Sequence, residues 1–228
     1  MDPSDEGDVN VEINIQADSD SLSPGRIEAL TDGVIAIAIT LLVLELSIPI
    51  ISGGGHEGAP SSIGDMWDEF YAYAIGFIAL GIYWSFHHYM FHFIKRSDGV
   101  LMLLNIMFLS FASMVPFWTA FQVENPDAEQ AIAYYGTAMI MTFLTLLAIW
   151  IYATWDNRLV SDTMDKEVKM KMVWILGIGS IMVLAFSFGN IYVPGLAWLL
   201  FIPMVWFVYW IVIGHQNFKI NTPPTIKV

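Results

Sequence analysis

Six long apolar stretches alternate with polar connections along the chain, roughly 28–50, 69–94, 99–121, 131–154, 172–191 and 194–214. Each comes near the ~20 residues that a helix, rising ~1.5 Å per residue, needs to cross a ~30 Å hydrocarbon core. Taken as spans 1 to 6, they predict an all-α polytopic membrane protein with six transmembrane helices per subunit. The basic residues orient it. Arg26, Lys95, Arg96, Arg158, Lys166, Lys169, Lys171, Lys219 and Lys227 fall before span 1, after span 2, between spans 4 and 5, or after span 6. The connections 1–2, 3–4 and 5–6 hold no Lys or Arg. The positive-inside rule therefore predicts both termini in the cytoplasm, in agreement with an even number of spans. Trp67, Trp118 and Trp198 mark the outer interface, and Trp155, Trp174 and Trp210 the inner one.

Composition sharpens the picture. Of 228 residues 56% are hydrophobic and 14% charged, beyond what a soluble domain carries, so residues 26–216 read as one membrane domain of the cell membrane. The chain has no cysteine, which excludes disulfides, thiolate metal sites and thiol catalysis. Much of the net charge of −13 comes from residues 1–25, where Asp2, Asp5, Glu6, Asp8, Glu12, Asp18 and Asp20 meet no base. That segment lacks the basic start and apolar centre of a signal peptide and reads as a disordered acidic cytoplasmic tail, despite the strand-like alternation of Val9, Val11, Ile13 and Ile15. Residues 217–228 read as a short cytoplasmic C-terminal tail. The outer connections carry Glu57, Asp65, Asp68, Glu69, Glu124, Asp127 and Glu129 without a cation. Such a surface either concentrates cations at the outer mouth of a pore or serves solubility alone.

Span 1 differs from the others by placing Asp32 about two turns inside its cytoplasmic end, where an unpaired carboxylate is costly. A partner at matched depth is therefore expected. Counting rise from the basic residues puts Asp32 roughly 9 Å above Arg26, His88 roughly 10 Å above Lys95 and Asn105 roughly 13 Å above Arg96. Thr31, Asp32, His87, His88 and Asn105 are thus expected to form one polar layer. It would serve as a packing clamp between helices, or as a proton relay or pH sensor built on His87 or His88. Further along, Ile37, Leu41 and Leu44 recur at spacings of four and three and share a face. The small residues Gly33, Ala36 and Ala38 allow close helix approach, and Glu45 ends the helix on the outer side. These features predict a central helix whose apolar stripe faces symmetry mates, as stacked rings that gate by dewetting. Thr40, beside the stripe, either bonds back to the Ala36 carbonyl or reaches toward the axis.

Two blocks of residues carry a resemblance. Span 1 opens with Arg26-Ile-Glu-Ala-Leu30-Thr31-Asp32, similar to an Arg-x-x-x-Phe-Ser-Asp motif, and continues Gly33-Val-Ile-Ala-Ile-Ala-Ile-Thr-Leu-Leu-Val-Leu44. Trp84-Ser-Phe-His87-His88 follows in span 2, then Asp98, Asn105, Leu109 and Pro116-Phe117. In these blocks the sequence resembles the six-helix prokaryotic members of the transmembrane-protein-175 family of potassium channels. Leu30 and Thr31 stand where that family usually has Phe and Ser, so any aromatic packing at residue 30 is lost. The resemblance implies a homotetramer in which span 1 of each subunit lines one central pore for potassium ions. It implies Ile37 as the constriction, Leu41 and Leu44 as further rings, Thr40 as a contributor to selectivity and Glu45 at the outer mouth. It also implies a buried polar network of Arg26, Thr31, Asp32, Trp84, His87, His88 and Asn105 that holds span 1 against spans 2 and 3. The Thr-Val-Gly-Tyr-Gly filter of other potassium channels is not in the chain.

Other readings compete. A proton channel or proton-coupled transporter would pass protons between Asp32 and His87 or His88. Transporters often contain internal repeats, and nothing after residue 122 repeats the Arg26 to Asp32 run. His88 and His92 have the i, i+4 spacing of metal ligands, but two histidines of one turn cannot bind both faces of a haem, and they read as interface residues. No nucleotide loop, nucleophile motif or paired catalytic carboxylate is seen, and Gly53 to Gly55 form a flexible linker. The chain is therefore expected to be no enzyme and to need no cofactor, with partners limited to its own copies, potassium ions and the bilayer, and no nucleic acid. The basic segment 158–171, interrupted by Asp162, Asp165 and Glu167, reads as an ordinary cytoplasmic loop, with contact to anionic lipid as the minor reading. No span holds an arginine series, so steep voltage gating is not expected.

Overall fold

The computed structural model describes residues 23–47, 62–125 and 128–192. Span 6 (194–214), residues 1–22 and the C-terminal tail lie outside the described residues. Helix α1 runs Pro24–Leu41 and tightens into a 3-10 turn over Leu42–Glu45. It begins before the expected residue 28, because Pro24 sits in its first turn, where a missing N–H costs nothing and the fixed φ suits a helix. α2 (Trp67–Phe93), α3 (Gly99–Ser113), α4 (Val115–Glu124), α5 (Glu129–Thr154) and α6 (Lys166–Tyr192) follow. The described residues form no strand, only an isolated bridge between Ile94 and Val160.

Among the described residues four stretches are long and apolar enough to cross a membrane: Pro24–Glu45, Gly99–Glu124, Glu129–Asn157 and Lys166–Ala185. α2, 27 residues long and carrying Ser85, His87, His88 and His92, is not among these four. Span 3, expected as one helix over 99–121, is two. Pro116 has no N–H to give the carbonyl of Ala112, and its ring crowds that carbonyl. The break falls on Met114 (φ −84°, ψ −9°), whose N–H turns to the Phe111 carbonyl at 3.2 Å.

α5 packs along α6 and α3, while α1 lies against α2 and α3. Leu80, Phe108, Leu146, Ile149 and Trp150 are fully buried at these contacts. α5 and α6 approach so closely at Gly136 that a Cβ there would collide with the Ser187 side chain, the close approach that small residues permit in membrane bundles. On the side that the basic residues mark, the N–H groups of Lys95 and Arg96 both donate to the Leu159 carbonyl, at 2.8 and 3.2 Å. This stitches the α2–α3 connection to the α5–α6 connection. Asp156 and Asn157 turn the chain after α5 through left-handed conformations (φ 51° and 55°), which such short polar side chains tolerate best.

Candidate functional site

The polar residues of α1 and α2 meet near the N-terminal end of α1 and the C-terminal end of α2. Asp98 starts α3 there, its Oδ1 accepting the Leu101 N–H at 2.9 Å as an N-cap. Thr31, His87 and Asn105 are buried together. His87 Nε2 lies 2.8 Å from Asn105 Oδ1, and Asn105 Nδ2 donates to Thr31 Oγ1 at 3.0 Å. Thr31 Oγ1 lies 3.3 Å from both His87 Nε2 and Asn105 Oδ1 and donates to its own helix at the Ile27 carbonyl, 3.0 Å away. With the proton on Nε2, donation runs in one direction, from histidine to asparagine to threonine to backbone. Nδ1 of His87 is buried without a partner. An unpaired lone pair there is cheaper than an unpaired N–H, which favours the same tautomer. Phe91 and Phe108 stack on the imidazole, with centroids 4.1 and 5.4 Å away, and fix its plane.

The expected single polar layer is two clusters. Neighbouring residues on a helix differ by ~100° in direction, so Thr31 and Asp32 cannot share a face, nor can His87 and His88. Asp32, Trp84 and His88 are exposed in the single chain. Trp84 donates Nε1–H to Asp32 Oδ1 at 2.8 Å and stacks on His88, centroids 5.5 Å apart. His88 Nδ1 sits 2.8 Å from Glu28 Oε1. Glu28 was not singled out from the sequence, although its place one turn before Asp32 puts it on the same side of α1. Arg26 is exposed, and no hydrogen bond or ion pair of its side chain is seen among the described residues. Thus only Thr31, His87 and Asn105 of the seven implied network residues are buried within one chain.

The stripe lies on another side of α1. Ile27, Thr31, Ile35, Ala38 and Leu42 form the buried face of α1, whereas Ile37, Leu41 and Leu44 are 61%, 42% and 73% exposed. Gly33 faces open space, so of the small residues only Ala38 serves packing within the chain. Thr40 donates to the Ile37 carbonyl at 2.8 Å, not to Ala36. Glu45 is exposed at the far end, and there Glu69 Oε2 accepts the Ser47 N–H at 2.6 Å, tying the end of α1 to the start of α2. No three His, Asp or Glu side chains among the described residues converge as a metal site.

This arrangement has known relatives. The family model for the endosomal/lysosomal potassium channel TMEM175 matches residues 26–116. A potassium channel of Streptomyces collinus is 36% identical over 145 residues, covering 62% of this chain and 69% of that protein. The endosomal/lysosomal proton channel TMEM175 of Gallus gallus is 28% identical over 151 residues, of which this chain spans 30% of the length. The crystal structure of a lysosomal potassium-selective channel TMEM175 homolog from Chamaesiphon minutus superposes with a TM-score of 0.69 at 25% identity, covering 83% of this chain and 97% of that one. These likenesses agree with the membrane-spanning helices and with the two sequence blocks that face each other across α1, α2 and α3, and the chain belongs to the TMEM175 family of multi-pass ion channels, not to an enzyme family.

Proposed function

We propose that the protein is a potassium-selective, leak-type channel of the cell membrane, a homotetramer with both termini inside and α1 of each subunit lining the pore. The observation that carries this is the division of α1 into two faces. One is packed against α2 and α3, and the other presents Ile37, Leu41 and Leu44 as exposed side chains. On this reading Ile37 forms the constriction, Leu41 and Leu44 add rings, and Glu45 gathers cations at the outer mouth. Rings of apolar side chains gate by dewetting and discriminate through the cost of stripping water from the ion. Thr40 contributes to that discrimination beside the narrowest point. Asp32, Trp84, His88 and Glu28 then fall between neighbouring subunits, with Arg26 of the next copy as counter-charge.

Reversal potential in planar bilayers under opposed potassium and sodium gradients tests the reading. The expected value lies near the potassium equilibrium potential; one near zero refutes selectivity. Proton permeation is the second reading, favoured by the exposed pairs Asp32–Trp84 and Glu28–His88 at the inner end of α1. A reversal potential that follows a pH gradient would establish it.

A further inference from the structure

Away from the proposed conduction path, three cations at the helix ends on the basic side form no ion pair among the described residues. Arg96 donates Nη2 to the Asn157 carbonyl at 3.2 Å and approaches that of Val160 at 3.5 Å. Lys169, in the first turns of α6, donates Nζ to Oδ1 of the same Asn157. Arg158 is next in the chain; its Nη1 donates to Tyr152 Oη at 3.1 Å, and its guanidinium lies 4.8 Å from the centroid of that ring. Among the described residues no carboxylate comes within 4.0 Å of these three groups. Asp98 and Asp156 are the acids that face Arg158, and Asp98 is already engaged by the Leu101 N–H and the Tyr152 hydroxyl.

Arg158 also lines an open groove of about 480 Å³, together with Ala148, Ile151, Tyr152 and Trp155. From Trp155 to Ala148 the groove follows α5 for about 10 Å toward the membrane interior. Trp155 is 71% exposed at its mouth, where indole rings mark a headgroup region. We propose that this groove binds one anionic glycerophospholipid of the cytoplasmic leaflet. Its phosphate takes the free N–H donors of Arg158, Arg96 and Lys169 supply further positive field, and an acyl chain lies along Ala148, Ile151 and Trp155. A free phosphate would leave the apolar length of the groove empty. A zwitterionic lipid would fill it but gain little from three cations.

The test is native mass spectrometry of the purified full chain with phosphatidylglycerol or phosphatidylcholine of matched chains. Phosphatidylglycerol is expected to bind more tightly, and Arg158→Gln and Lys169→Gln each to weaken it about fivefold and to weaken phosphatidylcholine less. Ala148→Trp, which fills the groove, should weaken both lipids with the cations intact. Arg96 is left unchanged because it ties two loops together, and a thermal melt of each variant checks folding. Equal affinity for the two lipids in the wild type, or wild-type binding by the Arg158→Gln, Lys169→Gln double variant, overturns the proposal. So does displacement of phosphatidylglycerol by millimolar inorganic phosphate with no effect of Ala148→Trp, which would assign the cations to a free anion.

Discussion

Replacing Asn105 by leucine removes the hub of the buried cluster while keeping side-chain volume close. Two bonds go at once, the 2.8 Å contact to His87 Nε2 and the 3.0 Å donation to Thr31. Interhelical hydrogen bonds in membranes contribute about 0.6 kcal/mol on average, up to about 1.7. The larger part of the cost is what remains. His87 is fully buried between two phenylalanines and already has one orphaned nitrogen; Asn105→Leu leaves the second with only the 3.3 Å contact to Thr31. Stranding a buried polar group costs about 1–3 kcal/mol, so we expect Asn105→Leu to destabilise by about 2–4 kcal/mol. Thr31→Val removes one of the same bonds and should cost about 1 kcal/mol. Because the 3.0 Å bond is already lost in Asn105→Leu, whereas the 3.3 Å contact to His87 is lost only with Thr31, the double variant should cost more than Asn105→Leu alone but less than the sum of the two. Equilibrium unfolding in mixed detergent micelles, followed by tryptophan fluorescence, measures all three. An Asn105→Leu variant within 0.5 kcal/mol of wild type, or strict additivity, would refute the directed chain from His87 to Ile27.

Gly136→Ala should destabilise by about 1–3 kcal/mol through overpacking against Ser187, and Ser187→Gly should restore most of it in a thermal melt. Ile37→Asn should wet the proposed constriction, raising single-channel conductance and lowering potassium over sodium discrimination; unchanged conductance in assembled protein means that α1 does not line the path. Asp32→Ala and Trp84→Phe each break the 2.8 Å bond between them and should lower the yield of the proposed tetramer on size-exclusion chromatography more than they lower unitary current. Normal yield from both would separate that pair from assembly.

Much of this architecture was legible in the sequence because the bilayer imposes it. Span length is set by hydrocarbon thickness, and among the described residues four stretches between Pro24 and Ala185 are long and apolar enough to cross a membrane. Rise per residue placed Asp32, His88 and Asn105 at a similar depth, with Thr31 and His87 beside them, and of these five Thr31, His87 and Asn105 bond one another. Depth carries no azimuth, however. That is why Asp32 and His88 were grouped with them, although each points ~100° away from its neighbour, and why Glu28 was overlooked. The break at Met114 was readable from Pro116, whose helix-breaking effect is local. Apolarity alone did not show it, since residues 99–124 remain hydrophobic through the break. The convergence of Arg96 and Lys169 on Asn157 was not legible, because it joins loops separated by some sixty residues through two left-handed turn residues.

The two faces of α1 give the fold a division of labour that hydropathy cannot express, since both are mostly apolar. On the packed face, Thr31 inserts one hydroxyl among Ile27, Ile35, Ala38 and Leu42, and its bonds to α2 and α3 fix the rotation of the helix about its axis. Fixing that rotation determines which residues are turned away. A slip of one residue would rotate α1 by ~100° and turn Ile37, Leu41 and Leu44 together away from the direction they now face. In hydrocarbon, where an apolar face gains little by packing on another apolar face, polar bonds are the interactions able to resist such a slip. The buried cluster and the exposed stripe are therefore coupled through helix rotation without touching. On the proposed reading, Asn105→Leu should blur ion discrimination by disordering the rings, whereas Ile37→Asn should change permeation at unchanged stability.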